Sequence, residues 1–185
     1  LCGSPYLAGF GLGTQKAEMM IKAQFPSARV LRMDMDTTSK KDGHEQILDS
    51  FRRREADILV GTQMIVKGHD FPGVTLVGIL AADMSLYNCD FRSSERTFQL
   101  LTQAAGRAGR GMEPGNVIIQ TYDPENYSIQ TAADQDYESF YNQEIRFRRR
   151  MQYPPIGWMC EVMAVSAEEE LANQWIWQGQ LLINR

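Results

Sequence analysis

Residues 103–110 read QAAGRAGR and carry the strongest signal in the chain. They close a segment, 94–105, that is predicted to be helical, and they place Arg107 and Arg110 three positions apart, each directly after a glycine. Arginine is always charged and its planar donors match phosphate oxygens, while glycine lets the backbone approach a ligand closely. The stretch therefore predicts a phosphate-binding turn. The alternative is a glycine-rich turn whose arginines are simply solvated.

Helical and strand-like patterns alternate on both sides of this stretch, which predicts an α/β fold with a mostly parallel sheet between helices. The run 74–81 has no polar alternation after Thr75, so we expect a strand buried on both faces. Thr14 stands where the N-cap of the first helix belongs. The other predicted elements are helices at 15–25 and 43–54, one or two helices within 128–150, and strands at 29–33, 57–61 and 116–122.

Ligands of parallel α/β sheets bind outside the carboxyl ends of the strands. We therefore expect the functional residues after Gly61, after Ala81 and near Gly106. The first and last of these positions lie in the segments that carry the most distinctive residues of the chain.

The pattern changes at residues 152–155, QYPP, which are expected to form a linker. After it, residues 158–165 are predicted to form a strand, and the following apolar spacing predicts a helix that includes Trp175 and Leu182. This is the βα start of a second domain, too short to close a core by itself. The chain begins at Leu1 and stops inside the predicted helix, so we expect both ends to be cuts.

The composition is that of a globular protein: 185 residues, 43% hydrophobic and a net charge of −4. No apolar run approaches the roughly 18 residues that a membrane span needs, and no signal peptide is visible, so a cytoplasmic location is expected. The three cysteines are widely spaced and odd in number, which argues against a disulfide framework. The net charge argues weakly against nucleic-acid binding, and the two arginine runs at 52–54 and 146–150 are more typical of solvated helix ends.

Several blocks of the sequence give the chain a family resemblance. Residues 103–110 resemble motif VI of superfamily 2 helicases, and ILVGTQM at 58–64 with KGHDFP at 67–72 resembles motif V. Their order and separation are those of the second RecA-like domain. The blocks at 61–69, DFRSSER at 90–96, DMDTT at 34–38 and the Gly-Thr pair at 13–14 are similar to the primosomal protein N′ family. The resemblance covers roughly residues 2–165.

The resemblance implies roles for named residues. Arg107 and Arg110 would face the ATP γ-phosphate, with Arg110 the better candidate for an arginine finger, and Gln103 would assist at the nucleotide. Gly68 and Asp70 would lie near the nucleotide between the two motor lobes. Two further residues would contact the DNA backbone, Thr62 by a hydrogen bond and Lys67 by its charge.

The resemblance also implies cofactors and domain limits. Residues 1–13 would be the tail of a zinc-binding insertion, with Cys2 as a zinc ligand. Residues 14–151 would be the second RecA-like helicase domain, and 152–185 the linker and the start of a C-terminal domain. ATP and Mg²⁺ would be bound mainly by the other lobe. The implied partners are single-stranded and forked DNA, primosome proteins and single-stranded-DNA-binding protein, with no membrane.

One feature of an ATP-hydrolysing motor is absent from these 185 residues. No G-x-x-x-x-G-K-[ST] phosphate loop occurs, and Ala81-Ala82-Asp83 matches an acidic magnesium-holding motif only superficially. The absent phosphate loop predicts that the chain alone is inactive. The family resemblance implies that the chain is part of an ATP-dependent 3′-to-5′ DNA helicase of replication restart. The alternatives are another superfamily 2 DNA translocase of repair, or a non-catalytic DNA-binding primosome module.

Overall fold

The computed structural model describes residues 13–35, 37, 43–66, 71, 73–88, 90–109 and 114–183. The described residues alternate helices with short strands, as the sequence predicted. In chain order the elements are α1 (Thr14–Gln24), β1 (Val30–Met33), α2 (Gly43–Arg52), β2 (Ile58–Gly61), a first 3-10 helix (Gln63–Val66), β3 (Leu76–Ile79), a second 3-10 helix (Ala82–Tyr87), α3 (Ser93–Ala105), β4 (Asn116–Ile119), α4 (Tyr127–Ala133), α5 (Tyr137–Met151) and α6 (Glu169–Ile183).

The helical spacing located the helices correctly, and the segment 128–150 forms two helices, α4 and α5. The predicted N-cap of α1 was wrong by one residue. Gly13 takes the cap position in an extended conformation, and Thr14 is the first helical residue. The Thr14 hydroxyl donates to the Oδ2 atom of Asp34, 2.6 Å away, which is a charge-assisted hydrogen bond.

The strands form two parallel pairs, β1 with β2 and β3 with β4. Met33 lies opposite Gly61 at the end of the first pair. The expectation that β3 is buried on both faces was wrong: Leu76 is 59% exposed, and the burial alternates along the strand. Among the residues that the structure describes, only the face that carries Ile79 is packed against other apolar residues, so they cover β3 on one side.

An aromatic cluster joins α3, α4 and α5 to the ends of β3 and β4. The rings of Phe98 and Phe140 stack with their centroids 4.2 Å apart. Burying each large apolar side chain stabilises the fold by roughly 1.5–3 kcal/mol. The buried members of the aromatic cluster are Ala82, Phe98, Leu101, Ile129, Ala132 and Phe140.

A second group, the methionine cluster, packs under β1 and β2. Its buried members are Met33, Leu48 and Phe71, and Phe51 meets Phe71 edge to face at 5.2 Å. Val74 packs partly buried against the methionine cluster. The two ends of β3 therefore pack in different clusters. Val74, just before the strand, packs in the methionine cluster, and Ile79, its last residue, packs in the aromatic cluster.

The chain divides into two compact units, Leu1–Glu144 and Ile145–Arg185. In the second unit the predicted helix is present as α6, but the predicted strand at 158–165 is wrong, because these residues have no regular structure. A strand requires a hydrogen-bonded neighbour, and Trp158 is fully exposed. The domain limits at 14–151 and 152–185 stay a prediction.

None of the helices in the described part of the chain is both long and apolar enough to cross a bilayer.

Candidate functional site

The arginine turn, residues 106–109, continues directly from the last residues of α3. Gly106 N donates to Thr102 O at 3.0 Å, Arg107 N to Ala104 O at 3.1 Å and Ala108 N to Ala105 O at 3.2 Å. Ala104 and Ala105 are buried. The backbone of the turn is therefore fixed by the helix before it.

Only one glycine of the turn is needed for its conformation. Gly109 has φ +73°, a region that is open to glycine and costly for residues with a Cβ. A Cβ atom on Gly109 would also lie 2.6 Å from Gly115 N. Gly106 has an ordinary φ of −66°, so another residue could adopt its backbone conformation.

The arginine turn lies at the opposite end of the strands from the one predicted. Gly109 N donates to Val74 O at 3.0 Å, and Val74 precedes β3, while Gly115 precedes β4. The turn thus belongs to the amino ends of β3 and β4. The expectation of a carboxyl-end position near Gly106 was wrong because this segment connects a helix to the next strand.

The predicted nucleotide-facing residues differ in their surroundings. Gln103 is exposed on the last turn of α3, and Arg107 is half-buried. Arg110 lies outside the described residues, as do Gly68 and Asp70. The structure therefore places two of these five residues, both next to the arginine turn.

Thr62 directly follows β2 and its side chain is exposed. Its carbonyl accepts a hydrogen bond from Ile65 N at 3.2 Å, which starts the first 3-10 helix. Gly61 is closely packed here, since a Cβ atom would lie 2.5 Å from Met33 O. Lys67 lies outside the described residues.

The segment that begins at Thr62 and the helix that carries Gln103 meet in the fold. Helix α3 contacts the first 3-10 helix. In addition, Val74 packs on the methionine cluster together with Met64 and Ile65 of that 3-10 helix and accepts the bond from Gly109 N. The segment that begins at Thr62 and the arginine turn are thereby joined by packing and by one backbone hydrogen bond.

A carboxylate network that the sequence reasoning missed holds the carboxyl end of β1. Asp34 is buried; its Oδ1 accepts from Thr37 N at 2.9 Å, in addition to the bond from Thr14. Arg32 Nε lies 3.4 Å from Oδ2. The hydrogen bond from Thr14 is the main reason that the pKa of Asp34 lies below its ordinary value. The only signal in the sequence was the pairing of a Gly-Thr turn with an Asp-rich block.

The carboxyl ends of β3 and β4 are joined by two side chains. Gln120 Oε1 accepts from Ala81 N at 2.7 Å, and Asp83 Oδ1 accepts from Tyr122 N at 3.2 Å. Asp83 is fully buried. Its hydrogen bond to Tyr122 N helps to hold the carboxyl ends of β3 and β4 together.

No cluster of three or more His, Cys, Asp or Glu side chains that could hold a metal ion occurs among the residues placed by the structure. Cys2 lies outside the described residues. Zinc ligation by Cys2 therefore stays a prediction.

The fold and the joined motifs are those of a helicase lobe. The family described as Helicase conserved C-terminal domain matches residues 10–112, more than half of the chain. The chain belongs to this family, which confirms the predicted second RecA-like lobe with its parallel strands and flanking helices.

The similarity extends to individual proteins. Over 168 residues the chain is 55% identical to the replication restart protein PriA of Bacillus subtilis (91% of this chain, 21% of that protein). It is 49% identical over 168 residues to PriA of Synechocystis sp. (91% and 20%) and 39% identical over 172 residues to PriA of Haemophilus influenzae (93% and 24%). These relatives confirm the resemblance to primosomal protein N′, which is another name for PriA. The chain spans about a fifth of their length.

Proposed function

We propose that this chain is the second motor lobe of an ATP-dependent DNA helicase that acts in replication restart and moves 3′ to 5′. The observation that carries the proposal is the junction at Val74, which ties the arginine turn to the segment that follows Thr62. A helicase must couple its nucleotide to its DNA, and a rigid link between the two motifs gives that coupling a physical path.

In this proposal Arg107 and Arg110 meet the γ-phosphate of ATP bound by the other lobe. The residues fit that group, because guanidinium donors match phosphate oxygens and the backbone of the turn is held against Gly115 by Gly109. Bound ATP with Mg²⁺ supplies the phosphoryl group that is transferred to water. The arginines stabilise the charge that develops on it, and Gln103 assists at the same place.

The other predicted residues divide between nucleotide and DNA. Gly68 and Asp70 are proposed to line the nucleotide cleft. The exposed Thr62 hydroxyl is proposed to donate to a DNA phosphate, and Lys67 to add a positive charge beside it. Contacts of this kind hold a strand without reading its sequence.

The remaining parts of the proposal concern the whole protein. Cys2 would complete a zinc site with cysteines from elsewhere in the protein, and structural zinc needs four ligands. The partners would be single-stranded and forked DNA, primosome proteins and single-stranded-DNA-binding protein, in the cytoplasm. Residues 14–151 and 152–185 would belong to different domains.

The test is a comparison of two substrates for the full-length protein. Duplexes with a 3′ or a 5′ single-stranded tail are mixed with ATP and Mg²⁺, and strand displacement is measured. We expect the full-length protein to displace the strand of the duplex with the 3′ tail, because a motor that moves 3′ to 5′ enters the duplex from that tail. The 185-residue chain alone should show no DNA-stimulated ATP hydrolysis. DNA binding without ATP turnover in the full-length protein would favour a non-catalytic module, and turnover by the chain alone would refute the two-lobe arrangement.

A further inference from the structure

The turn that leads into α3, residues 88 and 90–93, is tightly built although it faces solvent. The buried Ser93 hydroxyl lies 2.8 Å from Asn88 O and 2.7 Å from Asp90 O. Asp90 Oδ1 accepts from Arg92 N at 2.9 Å. We call these residues the entry turn; its backbone is fixed before any ligand arrives.

Asp90 of the entry turn pairs with Arg96, whereas Arg92 lies over the ring of Phe91. Asp90 Oδ2 lies 2.6 Å from Arg96 Nη1, so that carboxylate is neutralised within its own turn. The guanidinium of Arg92 lies over the ring of Phe91, 5.1 Å from its centroid, and Arg92 is exposed. An arginine that lies over a ring combines a cationic group with an aromatic one.

An exposed tyrosine directly precedes the entry turn in the chain. Tyr87 is the last residue of the second 3-10 helix and is 66% exposed. That 3-10 helix is fixed to α3, because Ser85 Oγ lies 2.7 Å from Thr97 Oγ1. Leaving a tyrosine ring in water forgoes the gain of its burial, so a ligand that covers it is favoured.

We propose that Tyr87, Phe91 and Arg92 form a stacking platform for bases of single-stranded DNA. Aromatic rings combined with arginine are the usual sequence-independent contacts to single strands, and the arginine also complements the phosphate charge. The proposal rests on the function proposed above. The platform is separate from the arginine turn: α3 has 13 residues and is therefore about 20 Å long, with the entry turn at one end and the arginine turn at the other.

The experiment measures the binding of the full-length protein to fluorescent oligothymidylate and to an abasic oligonucleotide with the same number of phosphates. Tyr87→Leu should weaken binding to oligothymidylate about five-fold or more and reduce the preference for it over the abasic strand. Tyr87→Phe keeps the ring and should bind like the wild type. Tyr137→Leu removes a tyrosine of similar exposure, 65%, from α5 and serves as the matched control.

A second variant keeps the test decisive if Tyr87→Leu disturbs folding. Arg92→Gln should weaken binding to both oligonucleotides and lower the slope of log affinity against log salt by about one. Unchanged affinity of both variants, beside a wild type that binds and unwinds DNA, would overturn the platform alone. If the Arg92→Gln variant keeps its affinity for DNA but loses ATP turnover, Arg92 acts at the lobe interface, and the platform is overturned as well. A wild type that neither binds single strands nor unwinds would instead refute the proposed function.

Discussion

The two strand pairs carry their candidate functional residues at opposite ends and hold them by different means. In the pair β1–β2, Thr62 directly follows the carboxyl end of β2. Asp34 follows the carboxyl end of β1 and is the centre of a network of side-chain hydrogen bonds. In β3–β4, the arginine turn is attached at the amino ends through the backbone, by the bond of Gly109 to Val74 and by its close approach to Gly115.

This difference predicts different sensitivities. A junction made from backbone contacts leaves no room for a Cβ atom and is insensitive to pH. A junction made around a carboxylate depends on its donors and on its charge. Substitutions can therefore show whether each junction depends on backbone packing or on the carboxylate and its donors.

The largest effect is expected for the arginines themselves. Arg110→Ala in the full-length protein should lower ATP turnover by about 10³–10⁵, the range of an arginine finger, because the charge on the γ-phosphate loses its partner. Arg107→Ala should be impaired in the same assay, while Thr62→Ala should mainly weaken DNA binding. Steady-state hydrolysis with saturating DNA measures the first effect, and nucleotide titration should show that ATP binding is largely kept. A near-normal rate of ATP hydrolysis by the Arg110→Ala variant would contradict the proposal that these arginines act on the nucleotide.

The next effect concerns the backbone junction. Gly109→Ala should destabilise the fold by about 2 kcal/mol or more, because its φ is positive and the added Cβ meets Gly115. Gly78→Ala is the matched control: nothing lies within 4 Å of its Cβ position, and alanine in a strand should stabilise by roughly 0.5 kcal/mol. Urea unfolding measures both changes. Equal effects of the two substitutions would show that the turn is not sterically fixed.

A smaller effect is expected at the carboxylate network. Thr14→Val should cost about 1.5 kcal/mol, because it removes a hydrogen bond to a charged group, whereas Thr14→Ser should retain most of the stability. The lowered pKa of Asp34 contributes stability that is present above its ordinary value of 3.8 and is lost as the pH falls through the lower folded value. Thr14→Val should therefore unfold with a weaker pH dependence below pH 4. A pH dependence identical to that of the wild type would show that Thr14 does not set this pKa.

The smallest effect lies on the surface, away from both junctions. Arg29 binds Asp57 through two side-chain hydrogen bonds, which lower the pKa of Asp57 to about 2. Both residues are exposed, so Arg29→Gln should lower the melting temperature only slightly. The difference should be present above pH 4, shrink as the pH falls toward 2, and weaken in high salt. A large loss of stability that is independent of salt would mean that this pair has a role in packing.

The sequence located the α-helices and the four strands but not their environment. The helical spacing found α1, α2 and α3 because such spacing directly reports one buried face. The same reasoning misjudged the burial of β3, since an apolar run does not reveal whether a second layer covers it. The strand at 158–165 failed for a related reason: its apolar residues fit a strand, but a strand exists only with a neighbour to pair with.

What the sequence determined by itself was the family and the alternation of helices and strands, and it singled out the arginines, glycines and polar residues whose roles stay predictions. These follow from local spacing and from residue types, which are present in the chain before it folds. The tertiary structure alone decided that the arginine turn sits at the amino ends of β3 and β4 and that Val74 links it to the segment after Thr62. It also decided that Thr14 bonds Asp34 across 20 positions. Contacts between residues distant in sequence depend on how separate elements pack, and no local pattern encodes that.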